Sequence, residues 1–300
     1  MAWRHARKAA GRYCLSFELF GSQRTHTRMS STFHVPASSA IDSGTEPQAP
    51  AAGTLVIPRA VIKVNSRTLA DLLVLKTRQH WMMKSNGIDW RSDERQRLMR
   101  VYDGMSEKQF LAANAPQVWV EERQIPRTLS GRVPERGAVV VDLGCGPGSS
   151  TAIICRYAHP SWRITGVDLS ENLVRWARRR AQNGEFVSMA SGASKPIRPR
   201  FFCQSIAEGW MNDERLEDRS VDLVNSSGVM GHHLAEADTR RVIGEARRVL
   251  KPGGYLALDT GPRTRHGRMA ELMGEQGFVE PAFIRGTTLD PRPKVVMRKR

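Results

Sequence analysis

Residues 139–151 read Val-Val-Val-Asp-Leu-Gly-Cys-Gly-Pro-Gly-Ser-Ser-Thr. Three apolar β-branched residues run into an acid, then into glycines at 144, 146 and 148, then into a helix-compatible stretch. A buried strand, a tight turn and a helix start, in that order, restrict the chain to an α/β sheet that presents a ligand at its strand ends. The glycine spacing restricts the ligand. A dinucleotide loop runs Gly-x-Gly-x-x-Gly and sets a pyrophosphate on the helix N-terminus. Here the third glycine comes one residue early, and Ser149 stands in its place. Asp142, two residues before the first glycine, also suits a cationic ligand better than a phosphate.

From Gly137 onward short apolar runs alternate with helical patterns, which implies a largely parallel sheet. The strands are expected at 138–143, 163–168, 201–204, 220–225, 255–259, 278–284 and 293–299. Helices are expected at 149–158, from a Ser170 cap to about Gln182, at 236–250 and at 267–276. The 236–250 helix is expected to stop at Lys251-Pro252-Gly253-Gly254. Residues 184–200 read as a long Ser/Pro/Gly-rich connection. No helix separates the last two strands, so they should form a hairpin with one antiparallel strand. The fold class is therefore α/β: a doubly wound, seven-stranded, mostly parallel sheet with a terminal antiparallel hairpin strand.

Residues 54–136 read as a helical extension covering the ligand site. Leu69, Leu72 and Leu73 begin an amphipathic run that reaches Met83 and ends at Asn86-Gly87. Ser92 can cap a second helix carrying Leu98, Met99, Tyr102 and Met105 at helical spacing. A third candidate, about 107–129, contains Pro116 and Pro126 and is expected to be broken. Tyr102, Trp119 and Arg123 are candidate contributors from this cover. Residues 1–53 read as a disordered basic, low-complexity segment. The first 28 residues hold six basic side chains and one acid, Glu18. They fit a transit peptide, a basic tail, or a start assigned upstream of Met29.

Four landmarks fall in register along residues 137–300. They are Asp142-Leu-Gly-Cys-Gly-Pro-Gly148, the strand end Gly-Val-Asp168-Leu169-Ser, the run Val-Asp-Leu-Val-Asn225-Ser-Ser leading to Gly-His232-His233-Leu, and Leu-Lys-Pro-Gly-Gly before the fifth strand. Together they resemble the class I S-adenosylmethionine-dependent methyltransferases. The resemblance implies S-adenosyl-L-methionine as cofactor and direct in-line transfer of its methyl group. It implies that Gly144, Cys145, Gly146 and Gly148 lie beside the ligand, the three glycines letting backbone pass close to it without a Cβ clash. Asp142 would hold the methionine ammonium, directly or through water, and backbone at Asn225 would lie beside it. Asp168, twenty residues past Gly148, would accept from the ribose hydroxyls with Leu169 beside it. One landmark departs from the family. Ser205 stands after the third strand where an acid commonly receives the adenine amino group. Gln204 or Ser205 can supply an acceptor instead, and Ile206 can pack on the ring.

A sulfonium methyl is already activated, so the protein needs to align it, exclude water and take a proton where required. His232 and His233 are the candidate bases, and Asp259 at the end of the fifth strand is a further candidate. The net charge of +16 is split +9 and +7 between residues 1–136 and 137–300. So diffuse an excess does not favour a nucleic-acid partner. No Asn/Asp-Pro-Pro-aromatic run follows the fourth strand, which also argues against a DNA-base acceptor. A small-molecule acceptor is expected, with RNA or protein methylation and a non-catalytic cofactor-binding module as alternatives. Cys14, Cys145, Cys155 and Cys203 form no CxxC pair and no zinc spacing, so no metal is expected. A cytoplasmic setting is expected, with no membrane segment.

Overall fold

The computed structural model describes residues 52–86, 101–190, 194–208, 216–287 and 292–300. The expectations for residues 1–51 and for Ser92, Leu98 and Met99 lie outside the described residues. Among the described residues, α1 (Arg59–Asn65), α2 (Leu69–Ser85) and α3 (Glu107–Leu129) precede the sheet, and residues 101–104 are also helical. Strand β1 (Val139–Leu143) leads to α4 (Ser149–Tyr157), and β2 (Arg163–Asp168) to α5 (Glu171–Gln182). Then come β3 (Val187–Ser188), β4 (Lys195–Pro196), β5 (Arg200–Cys203) and β6 (Val221–Ser226). The chain ends with α6 (Met230–His233), α7 (Glu236–Val249), β7 (Leu250–Leu258), α8 (His266–Glu275), β8 (Phe278–Ile284) and β9 (Lys294–Lys299).

Seven strands form one sheet in the order β5-β2-β1-β6-β7-β9-β8. All neighbours are parallel except where β9 pairs with β7 and β8. The doubly wound sheet with one antiparallel strand is the expected architecture. Chain order reverses between β1 and β6, the place where such sheets bind ligands at their carboxyl ends. Every residue of β1 is buried, as a central strand covered on both faces must be. Its side chains alternate. Val139, Val141 and Leu143 pack with Val242, Ile243, Met269 and Leu272 of α7 and α8. Val140 packs with Ile125 and Leu129 of α3 and with Ile153 and Ile154 of α4. Strand period places Asp142 on that second face, toward α3 and α4.

Four local expectations are corrected. Helix α3 is continuous through Pro116 and Pro126. Both prolines are buried in its packed face, and the Glu122 carbonyl, which Pro126 cannot bond, accepts from Ser66 Oγ at 3.4 Å. Tertiary packing here outweighs the lost helix bonds. Helix α2 is not cleanly amphipathic. Leu72, Leu75, Gln79 and Met82 are half-buried, whereas Leu69, Leu73, Val74 and Trp81 are exposed. The 184–200 connection contains an antiparallel pair, Val187 opposite Pro196 and Ser188 opposite Lys195. Finally, β7 begins at Leu250, because Leu250 pairs with Val221 before the Lys-Pro-Gly-Gly irregularity and Tyr255 resumes the ladder opposite Leu223. No helix among the described residues is long and apolar enough to cross a membrane.

Candidate active site

The turn after β1 has three glycines in the left-handed region, at φ values of 67°, 53° and 83° for Gly144, Gly146 and Gly148. Side chains would strain all three, and two are closed to them by contact as well. A Cβ on Gly144 would collide with Val229, and one on Gly148 would stand 2.8 Å from Phe186. At Gly146 the nearest atoms to such a Cβ belong to Phe110 of α3, at 3.6 Å. That glycine therefore faces the gap between the turn and the helical cover. Asp168, half-buried at the end of β2, holds the turn in place. Its Oδ2 accepts from Gly146 N–H and its Oδ1 from Ser170 N–H, both at 2.9 Å. Burial pushes its carboxyl up, opposed by these amides. Each oxygen retains a lone pair for a further donor.

Between the turn and the cover lies a cavity of about 710 Å³. Gly144, Cys145, Gly146, Asp168, Leu169 and Ile206 form its sheet-side wall. Gln79 of α2, together with Phe110, Asn114, Gln117 and Glu121 of α3, forms the opposite wall. Ser227, Gly228, His232, His233, Pro262 and Arg292 line the remainder. Such a volume is typical of sites that enclose a cofactor-sized ligand. Among the described residues no group of His, Cys, Asp and Glu is arranged to hold a metal ion.

Several expected residues stand elsewhere. Asp142 is fully buried and does not line the cavity. It accepts from Ser150 Oγ at 2.7 Å, Thr151 Oγ1 at 2.6 Å and Asn225 Nδ2 at 2.7 Å. In the structure all three of these partners belong to the protein itself. Asp142 ties β1 to the start of α4 and to β6, because a buried carboxylate needs such donors. Burial pushes its carboxyl up, and these bonds pull it down. Asn225 is buried as well, and its Oδ1 accepts from Lys294 Nζ at 2.6 Å. Gln204, Ser205 and Gly148 do not line the cavity, whereas Leu169 and Ile206 do. Asp259 lies behind the wall. Its Oδ1 accepts from Ser226 Oγ at 3.0 Å and Met230 N–H at 3.1 Å, and its Oδ2 from Gly231 N–H at 3.3 Å, so it caps the short helix α6.

His232 and His233 both line the cavity. The His233 Nε2 lies 3.4 Å from Tyr102 Oη, and its buried Nδ1 has no hydrogen-bond partner. Burial, reinforced by the neighbouring His232, lowers its pKa to about 4. Of the cover candidates, Tyr102 lines the cavity, while Trp119 and Arg123 do not. Trp119 Nε1 donates to the Thr68 carbonyl at 2.7 Å, and the Arg123 guanidinium stacks 3.6 Å over the Trp119 ring.

Two residues were not expected. Glu121 of α3 is 4% exposed, and Lys294, the first residue of β9, is fully buried. The Lys294 ammonium donates to Asn225 Oδ1 and, at 2.7 Å, to Ser227 Oγ. Burial raises Glu121 to about 8, with Lys294 pulling it down. Burial lowers Lys294, which Asp259, Glu121 and Asp142 counter. One signal was available in the sequence. Phe110, Asn114, Gln117 and Glu121 recur at helical spacing and share one face of α3.

The fit to S-adenosylmethionine rests on this geometry. Gly146 leaves room for close backbone approach, Asp168 offers acceptors at a strand end, and Leu169 and Ile206 give an apolar wall. Residues 140–254 match the family model described as a methyltransferase domain. The trans-aconitate 2-methyltransferase of Variovorax paradoxus is 32% identical over 200 residues, covering 57% of this chain and 76% of that protein. The enzyme of the same name from Azoarcus sp. is 33% identical over 156 residues, covering 52% of this chain and 51% of that one. The chain thus spans about half the length of the latter. A solved structure of the CurJ carbon methyltransferase shares the fold, with a TM-score of 0.50 at 15% identity over 76% of this chain and 66% of that one. The chain belongs to the class I S-adenosylmethionine-dependent methyltransferase family.

Proposed function

We propose that this chain transfers the methyl group of S-adenosylmethionine to a small-molecule acceptor. The observation that carries this reading is the cavity itself. Among the described residues the turn after β1 and the polar face of α3 line a cavity of about 710 Å³. That volume suits a cofactor together with a modest acceptor. The relatives named trans-aconitate 2-methyltransferase support an acceptor of metabolite size.

The bound donor supplies an electrophilic methyl on sulfur. The protein's part is to hold, orient and exclude water. Asp168 accepts the ribose hydroxyls, and Leu169 and Ile206 pack on the adenine. Phe110 and Tyr102, in edge-on contact with ring centroids 5.5 Å apart, close the cover over the turn. His233 stays unprotonated through the neutral range and orients an acceptor hydroxyl or N–H. The half-buried His232 takes a proton toward solvent.

The test is an assay with labelled S-adenosylmethionine against trans-aconitate, other small carboxylic acids, metabolite extracts, RNA and protein. Label entering a low-molecular-weight product supports the reading. Label entering only RNA or protein, or a chain that binds the donor yet methylates nothing, overturns it.

A further inference from the structure

Glu121 is a buried carboxyl on the cavity side of α3. Its neighbour Glu122 bonds the Arg67 side chain and backbone, each at 3.3 Å, on the outer side of α3. Glu121 turns into the cavity wall, where its hydrogen-bonding neighbour is Gln117, one turn earlier on the same helix. A carboxyl buried to that degree is costly unless a charge or a ligand compensates it. The facing cation is Lys294, which is already bonded to Asn225 and Ser227. Lys294 is also shared electrostatically with Asp142 of β1 and Asp259 at the end of β7. Among the described residues around the cavity Asp168 adds another carboxyl and Arg292 another cation, while His232, His233, Tyr102 and Cys145 are the remaining titratable lining groups. Among the described residues the acids Glu121, Asp168, Asp142 and Asp259 therefore outnumber the cations Lys294 and Arg292, and charge differences between buried groups are weakly screened.

This imbalance bears on a known chemical difference. S-adenosylmethionine carries a sulfonium, an ammonium and a carboxylate, for a net charge of +1. Loss of the methyl leaves a thioether and a net charge of zero. We infer that Glu121, with Asp142 and Asp259 outweighing the cation Lys294, makes the site select the charged methyl donor over its neutral product. The inference rests on the donor site described above and adds a residue of the cover that reads the ligand's charge. The donor favours the ionised form of Glu121, so its binding releases a proton below pH 8. Product binding leaves that proton in place. Donor affinity then rises with pH up to about 8 and levels off, while product affinity does not follow Glu121.

The test is calorimetric titration of the full chain and of Glu121→Gln with S-adenosylmethionine and S-adenosylhomocysteine, from pH 6 to 9, in buffers of different ionisation enthalpy. The wild type should release about one proton per donor at pH 7 and none from this group on binding product. Glu121→Gln should lower the donor-to-product affinity ratio about tenfold and flatten its pH dependence. An unchanged ratio in the variant, equal weakening of both ligands, or no proton release by the wild type overturns the inference while leaving the donor site standing. A wild type that binds neither ligand overturns both. The proton measurement on the wild type decides even if the variant does not fold.

Discussion

At the residue scale, two acids one strand apart do different work. Asp142 and Asp168 read alike in sequence, each closing an apolar strand. Strand alternation and neighbouring donors separate them: Asp142 lies under Ser150, Thr151 and Asn225, while Asp168 keeps one edge on the cavity. Asp168→Ala should weaken S-adenosylmethionine binding about 10- to 100-fold, the loss of hydrogen bonds to a charged group. It should also lower the melting temperature modestly, because two turn amides lose their acceptor. Calorimetry and thermal melting check both. Gly146→Val should abolish binding, since its side chain would strain a positive φ and fill the gap below Phe110. Normal affinity in that variant would show that the ligand lies elsewhere. His233 gives a pH prediction. Its folded pKa, about 4, lies below the ordinary 6.5, so the unfolded chain binds the extra proton between those values. The stabilising contribution is complete above pH 6.5 and falls as pH drops toward 4, by on the order of 3 kcal/mol. Denaturant melts should lose this acid sensitivity in His233→Gln. An unaltered slope would refute the assignment.

At the element scale, the sheet could be read from the chain almost strand by strand, because buried parallel strands leave near-continuous apolar runs bounded by glycine and proline. The pieces that could not be read depend on contacts distant in sequence. Pro116 and Pro126 announce a broken helix, yet Ser66, from a different element, bonds the carbonyl that Pro126 leaves free. Lys294 stands near the end of the chain and announces nothing, because its partners Asn225 and Ser227 lie almost seventy residues away. Glu121 sits in a stretch whose two prolines announce an interruption, which conceals the face it shares with Phe110, Asn114 and Gln117. Trp119 joins the cover together, 2% exposed and bonded to the Thr68 carbonyl ahead of α2. Trp119→Ala should cost about 3–5 kcal/mol, measurable by urea unfolding. A cost below about 1 kcal/mol would mean that α2 is held to α3 by other contacts.

At the scale of the whole molecule, a sheet edge faces a helical wall that precedes it in the chain. The turn after β1 and the end of β2 form one side of the cavity; Gln79, Gln117 and Glu121 form the other. Among the described residues the cavity lining carries one fixed cation, Arg292, against the carboxyls of Glu121 and Asp168. The most direct test is a crystal structure of the chain with S-adenosylmethionine. The account predicts the ribose hydroxyls within hydrogen-bonding distance of Asp168, the adenine between Leu169 and Ile206, and the methyl group facing the α3 wall. A ligand bound away from Asp168, or a cavity that excludes it altogether, would contradict the account.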